Sequence, residues 1–486
     1  MSWLTQFERI MGLVPKPTDP LDEPVLSWDG DSVWTVRDAF EGTIIFGANG
    51  SGKTSGSGET ILRALMQKGF GGLVLSVKGD EWETCQRLAE ETGRTADLIR
   101  FTLNPNAKCC YNPLENETVT DNAVRLLLTL VDLGAIGQRA KDDDGYWKDE
   151  LQKLLRHTVE LLLTTEGRID LYQIEKLVTS TAATLAEVTS KRWQADSLCW
   201  SLLEKVRLET GGNFSMNMER CRDFFLRQLP GLSDKTRSII FSMVTGTLDT
   251  LLRDPVYSLL FGRSNVTPQD ALQRGKIIVV DVPVLVEKEI GLMTNMIWKF
   301  CFQRAVDSRK GGKGGKDVFI FGDEAQYFLT PADTIFQTSA RSLRCASVYL
   351  TQNLPNLYTK LGEHCTMGIL PVLKTRVFHQ NACVVTNKWA AESIGQKLMH
   401  RPTESTGTST QGGGIFGSQN QSQSTSVARV YDYVVRPEKF KSLKTGGPKN
   451  SRIVEGYVEH SGIKFENGKD YLRVEFRQRK TTAKQG

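Results

Sequence analysis

Gly47-Ala48-Asn49-Gly50-Ser51-Gly52-Lys53-Thr54 decides how this chain is read. It is a complete G-x-x-x-x-G-K-[ST] pattern. Ahead of it stands Thr43-Ile44-Ile45-Phe46, a short apolar run of β character. Behind it, Glu59-Thr60-Ile61-Leu62-Arg63-Ala64-Leu65-Met66 has the apolar spacing of a helix. Strand, glycine loop and helix form the context that separates a phosphate site from a chance match in a glycine-rich chain. Glycines let the backbone wrap close to an anion, and exposed amides and the helix N-terminus supply positive potential. In such a loop Gly47, Ala48, Asn49, Gly50, Ser51 and Gly52 cradle the phosphates. Lys53 reaches the β- and γ-phosphates, and the Thr54 hydroxyl ligates Mg²⁺.

The length of 486 residues suggests two to three domains at roughly 150 residues each. Forty per cent hydrophobic and 24% charged residues is ordinary globular composition. A net charge of +5 permits contact with nucleic acid without demanding it. The nine cysteines are irregularly spaced, with a vicinal Cys109-Cys110 and no C-x-x-C pair. That argues against a zinc site or a disulfide framework and for a reducing cytosol. No apolar run approaches ~18 residues, so no transmembrane helix is expected. The N-terminus carries Glu8 and lacks a signal-peptide core.

Residues 1–40 read as an extended lead-in marked by Pro15, Pro17, Pro20 and Pro24. Over 41–115 strand and helix patterns alternate, with buried strands at 73–77 and 98–101. From 116 to 258 the β signal gives way to long amphipathic stretches, which predicts an all-helical insertion. Strand patterns resume at 276–281, 318–321, 347–350 and 375–378, completing the nucleotide-binding domain over 259–402. Strands alternating with helices imply an α/β fold with a mostly parallel, doubly wound sheet. Residues 403–427 are rich in Ser, Thr, Gly and Gln and nearly uncharged, which predicts a flexible loop. Residues 428–486 form a basic C-terminal segment with β-like stretches, and no internal repeat is present.

Val318-Phe319-Ile320-Phe321-Gly322-Asp323-Glu324 is an apolar strand ending in two carboxylates, the form of a Walker B motif. Asp323 would hold Mg²⁺ through water, and Glu324 would polarise the attacking water. Strands often end in acids at the surface. The upstream phosphate loop is what favours the functional reading here. Gln352 follows the next strand, where an amide would face the γ-phosphate as a sensor; the plain alternative is a helix-capping amide. Arg341 precedes that strand. It is either a helix-surface arginine or one offered to a neighbouring subunit's γ-phosphate, a role worth about 10³–10⁵ in rate.

Taken together, these residues resemble the TraD/TraG-type coupling ATPases of type IV secretion and conjugation, close to the HerA/FtsK branch of RecA-like DNA pumps. The resemblance spans roughly 40–450. It rests on residues 47–54, on Val77-Lys78-Gly79-Asp80 and on Asn112-Pro113-Leu114. It continues through Leu232-Ser233-Asp234-Lys235-Thr236, Asp323-Glu324-Ala325-Gln326 and Thr351-Gln352-Asn353. Leu373-Lys374-Thr375-Arg376 and Val434-Val435-Arg436-Pro437-Glu438-Lys439-Phe440 complete it. The order and spacing of these motifs are more specific than any one of them. The resemblance implies a RecA-like P-loop domain that binds ATP and Mg²⁺, with Glu324 as general base. It also implies a ring, most often a hexamer, in which Arg341 is the arginine finger, about eleven residues before Gln352. The insertion would cap the ring and handle substrate. Two departures stand out. Membrane-spanning helices usual in the family are not read here, which leaves a chain tethered by a partner or a soluble relative. Ser76 replaces the Asp that commonly precedes Lys-Gly-acid.

RecA-like rings thread DNA through a loop-lined channel. The glycine-rich basic stretch 309–316 is either such a phosphate-contacting loop or a solvated hairpin. The basic tail, with Lys439, Lys441, Arg477, Arg479 and Lys480, reads more readily as a solvated surface. Trp147 could stack on bases but reads first as helical-domain core. Cys345 reads as a small buried side chain. Three functions remain: a conjugative DNA motor whose partners are DNA, a relaxase or secretion-channel proteins; a HerA/FtsK-like DNA pump in repair or defence, or a secretion-assembly ATPase with protein cargo; and a non-enzymatic switch or scaffold. Intact Lys53, Asp323 and Glu324 argue against the last. The expected location is the cytoplasm, with recruitment to the inner face of the membrane by a partner.

Overall fold

The computed structural model describes residues 19–104, 106, 108–134, 144–309, 314–410 and 419–479. In chain order the strands begin with β1 (Pro24–Ser27), β2 (Val33–Thr35), β3 (Thr43–Phe46), β4 (Gly71–Leu75) and β5 (Leu98–Thr102). Next come β6 (Ile277–Asp281), β7 (Val318–Gly322), β8 (Cys345–Thr351) and β9 (Thr375–Phe378). They end with β10 (Gln396–Thr410), β11 (Gln419–Tyr433), β12 (Ile453–His460) and β13 (Tyr471–Arg477). The chain forms two compact units: one takes residues up to Ile61 and from Val348 onward, the other Leu62–Ser347.

In the first unit, β3 pairs in parallel with β8 on one side and β9 on the other. β12 adds antiparallel to β9, and β13 antiparallel to β12. All four residues of β3 are buried, the signature of a parallel strand covered on both faces. β13 instead alternates, burying Leu472, Val474 and Phe476 and exposing Arg473, Glu475 and Arg477. Period-two alternation is what a strand with one wet face requires. The tail's Arg477 therefore lies on an exposed sheet face.

In the second unit β4 lies between β6 and β7, and β6 pairs with β5, all in parallel. β4, β6 and β7 are buried at every position. The second unit is thus parallel throughout, as the alternating pattern implied, whereas the first sets the parallel strands β8, β3 and β9 beside antiparallel pairs.

Between β5 and β6 the described residues hold helices and no strand, among them Thr120–Gly134, Asp144–Glu166, Leu198–Glu209 and Asp234–Leu251. The compact units do not divide at 116 or 258, however. An aromatic cluster ties β5 and the segment after it to the Val284–Asp307 helix that follows β6: the Trp298 ring lies 4.9 Å from Phe101 of β5 and 4.5 Å from Tyr111. The motif residue Ser233 has a local role, its Oγ accepting the Thr236 N–H at 3.2 Å to cap the Asp234–Leu251 helix.

Several expectations meet a different local structure. Residues 403–427 were expected as a loop, yet β10 and β11 pair antiparallel from Gln396↔Tyr433 to Thr410↔Gln419, with 411–418 outside the described residues. These arms carry no apolar alternation, so the hydrophobic pattern could not announce them. Of the basic stretch 309–316, residues 310–313 lie outside the described residues, as does Lys480. Arg309 turns inward, donating to Leu343 O at 3.1 Å and Lys316 O at 3.0 Å. Trp147 is half-buried rather than core, with its ring 5.2 Å from that of exposed Tyr146. Cys345 is buried, and burial pushes its thiol up to about 12. Among the described residues no helix is long and apolar enough to cross a membrane.

Candidate active site

The phosphate loop belongs to the first unit. Gly47 N donates to Thr351 O at 3.2 Å and Ala48 N to Gln380 O at 2.9 Å, so the loop leaves β3 anchored to both neighbouring strands. Gly50 and Gly52 have φ of 72° and 84°, the left-handed region that glycine tolerates. At Gly52 there is also no room for a side chain: a Cβ would sit 2.4 Å from Val454 Cγ2 of β12. After Lys53 the first turn is widened, with Gly58 N donating to Lys53 O at 2.9 Å, a five-residue closure typical of functional helix starts. Lys53 is buried, and Ser51 Oγ is buried with no hydrogen-bond partner among the described residues. A turn of amides, a lysine and an unspent hydroxyl is a donor set suited to phosphate oxygens.

Strand register sets what flanks the loop. Phe46 pairs with Thr351 and with Phe378, so Gln352, Gly47 and His379 leave their strands side by side. Gln352 O accepts Asn381 Nδ2 at 2.7 Å. The capping alternative for Gln352 does not apply, because Asn353 caps the next helix, accepting Asn356 N at 2.9 Å.

His379 was not singled out by sequence reading, and no local signal marks it. Its Nδ1 donates to Glu455 O at 2.8 Å, which leaves Nε2 to accept Ser57 Oγ at 2.6 Å. Burial lowers its pKa to about 4, the Glu455 bond opposes this, and the Lys53 charge reinforces it. A neutral imidazole thus braces the first turn behind Lys53.

The carboxylates belong to the second unit. Asp323 and Glu324 follow β7 and are almost fully buried, at 2% and 3% exposure. Glu324 adopts φ 51° and ψ 54°, a conformation costing a non-glycine residue roughly 1–2 kcal/mol. Strain of this kind collects at functional sites. Asp323 Oδ1 accepts Glu324 N at 2.8 Å.

Lys78 Nζ lies 3.1 Å from Asp323 Oδ2 and 2.9 Å from Glu324 Oε1. Gln326 Nε2 donates to the other oxygen, Glu324 Oε2, at 3.1 Å. Partial burial pulls the Lys78 ammonium down, but the charges of Asp323 and Glu324 outweigh it and hold the group above its ordinary value.

The loop carrying Lys78 is organised by Glu81, which sequence reading also missed. One Glu81 oxygen accepts Val77 N at 2.9 Å and Lys78 N at 3.0 Å. The other accepts Gly79 N at 2.7 Å and Ser76 Oγ at 3.0 Å. Ser76, the departure from the family pattern, is therefore a donor to this carboxylate.

Arg341 is exposed at the C-terminal end of the Pro331–Ala340 helix. It is not brought to the carboxylates. Arg344 O accepts Val318 N, so this turn sits at the start of β7, whereas Asp323 follows its end. Five strand residues, about 16 Å, separate the two levels.

An α/β fold with a phosphate loop after one parallel strand and an acid pair after another defines the P-loop NTPase class. The chain belongs to the type IV secretory system conjugative DNA transfer family, whose model matches residues 1–324. A second model, the TraM recognition site of TraD and TraG, matches residues 317–445. No curated protein matches the sequence. Among solved structures, the chain is similar to unbound bacterial conjugative coupling protein TrwBdeltaN70 at 14% identity and a TM-score of 0.59, covering 99% of this chain and 93% of that one. TrwB with the ATP analogue ADPNP is similar at 15% identity and TM-score 0.59, over 98% and 94% of the two chains. TrwB with ADP and Mg²⁺ is similar at 14% identity and TM-score 0.59, over 99% and 93%.

Proposed function

We propose that the chain is an ATP-driven motor that couples DNA, bare or protein-bound, to a type IV secretion channel. The observation that carries this reading is a built phosphate loop at 47–54 in a chain that also sets Asp323 and Glu324 at the end of β7. The solved TrwB complexes with an ATP analogue and with ADP and Mg²⁺ support ATP and Mg²⁺ as the ligands. The loop amides and Lys53 would bind the triphosphate, Thr54 and Asp323 are each a candidate Mg²⁺ ligand, and the cation would neutralise charge on the phosphate oxygens. Glu324 takes the proton of the attacking water. Gln352, leaving the sheet beside Gly47, senses the γ-phosphate. Arg341 acts on a neighbouring subunit's nucleotide in a ring, most simply a hexamer. Its exposure, and its distance from its own carboxylates, support action in trans.

The helices between β5 and β6 form the substrate-handling insertion. Residues 317–445 receive a protein partner of the DNA-processing complex, a reading supported by their TraM-recognition match. Contact with the membrane comes through a partner at its inner face.

ATP turnover with and without DNA, from about 50 to about 200 mM salt, tests the motor reading. The expected outcome is stimulation by DNA that declines as salt rises. Turnover indifferent to DNA at the lowest salt would move the cargo from nucleic acid to protein.

A further inference from the structure

Lys78 is not explained by phosphate binding, and its geometry raises a conflict. A general base needs a free carboxylate oxygen facing water. Here Glu324 has Lys78 on one oxygen at 2.9 Å and Gln326 on the other at 3.1 Å. Hydrogen bonds to the charged form make a carboxylate a weaker base. The same ammonium touches Asp323 Oδ2, the group assigned to the divalent cation.

We propose that Lys78 is a positioning residue, a cationic latch that holds Asp323 and Glu324 together until a divalent cation takes its place. The inference rests on the ATPase reading above and deepens it. A divalent cation drawn to Asp323, directly or through a bridging water, repels the ammonium that lies 3.1 Å from Asp323 Oδ2. When Lys78 yields Asp323, its contact with Glu324 Oε1 is lost as well, so arming of the base follows loading of the metal.

The surroundings suit a side chain that moves on a loop that does not. The acids' side chains are 3% and 4% exposed, whereas that of Lys78 is 36% exposed and has a way out to solvent. Its backbone is pinned, since Glu81 accepts the three amides of Val77, Lys78 and Gly79. A flexible four-carbon stem on a fixed base can swing without disturbing the fold.

The test uses Mn²⁺ alone as probe, its binding to the full, nucleotide-free chain read by water-proton relaxation. Lys78→Gln is expected to bind Mn²⁺ at least tenfold more tightly than wild type, and Lys78→Arg close to wild type. Adding Asp323→Asn to Lys78→Gln should abolish the gain. DNA-free ATP turnover of Lys78→Gln should rise several-fold. Unchanged Mn²⁺ affinity in Lys78→Gln overturns the latch, as does a turnover falling to the level of Glu324→Gln. Absence of ATP turnover in the wild type would defeat the ATPase reading alone, because the Mn²⁺ titration reports on the latch without nucleotide.

Discussion

Ser57 Oγ and His379 Nε2 meet at 2.6 Å, joining the helix that starts at the phosphate loop to the end of β9. The imidazole is fully buried beside Lys53, and its pKa falls from 6.5 to about 4 through burial. Between those values the unfolded chain binds a proton that the folded chain does not, so stability falls as pH drops from 6.5 through 4. A shift of this size corresponds to about 3 kcal/mol. His379→Gln puts a hydrogen-bonding amide in place of the imidazole and removes the titration. Denaturant midpoints from pH 7 to 4 should fall less steeply for this variant than for wild type.

Gly50 and Gly52 share a left-handed backbone but differ in surroundings. A Cβ at Gly50 meets nothing within 4 Å, whereas one at Gly52 meets Val454 at 2.4 Å. Gly50→Ala should cost only the conformational strain, about 1–2 kcal/mol. Gly52→Ala should also push β12 off the loop and weaken nucleotide binding at least tenfold. Nucleotide titration calorimetry on the two variants separates strain from clash.

Lys53→Ala should abolish nucleotide binding, and Glu324→Gln should bind nucleotide and lose turnover by at least about 10²-fold. Equilibrium binding measured beside steady-state turnover distinguishes the two. Equal losses of binding in both variants would remove Glu324 from the chemical step.

Arg341→Ala alone and Glu324→Gln alone should each be inactive. Mixed, they should recover part of the turnover, because a subunit with an intact base can then face one with an intact arginine. No recovery at any mixing ratio would return Arg341 to an ordinary helix-end role.

Asp333 and Lys299 form a buried pair, with side chains 3% and 2% exposed. Lys299 Nζ also donates to Phe328 O at 2.8 Å, and Asp333 accepts Gln303 Nε2 at 2.7 Å and Thr330 N at 2.7 Å. Asp333→Ala strands a buried ammonium and removes a helix cap, so it should destabilise the chain by about 3–5 kcal/mol. Urea denaturation measures the loss.

The parts of this protein legible along the chain are those whose chemistry is local. Residues 47–54 need only their own glycines and the helix behind them to make an anion cradle. β7 needs only five apolar residues before Asp323 and Glu324 to present acids at a strand end. Unbroken apolar runs at β4, β6 and β7 announce parallel strands because both faces are covered. The polar arms β10 and β11 carry no such pattern and could not be read as strands.

What surrounds those motifs was settled only by folding. Lys78 and Asp323 are 245 residues apart in sequence, and Ser57 and His379 are 322 apart. No periodicity encodes such a pairing, because it arises when parallel strands distant in sequence are set side by side and their ends converge. Residues 47–54 and the acid pair were enough to read a P-loop NTPase. The latch on its base, the buried imidazole behind its lysine and the placing of Arg341 away from its own carboxylates exist only once the strands are in register.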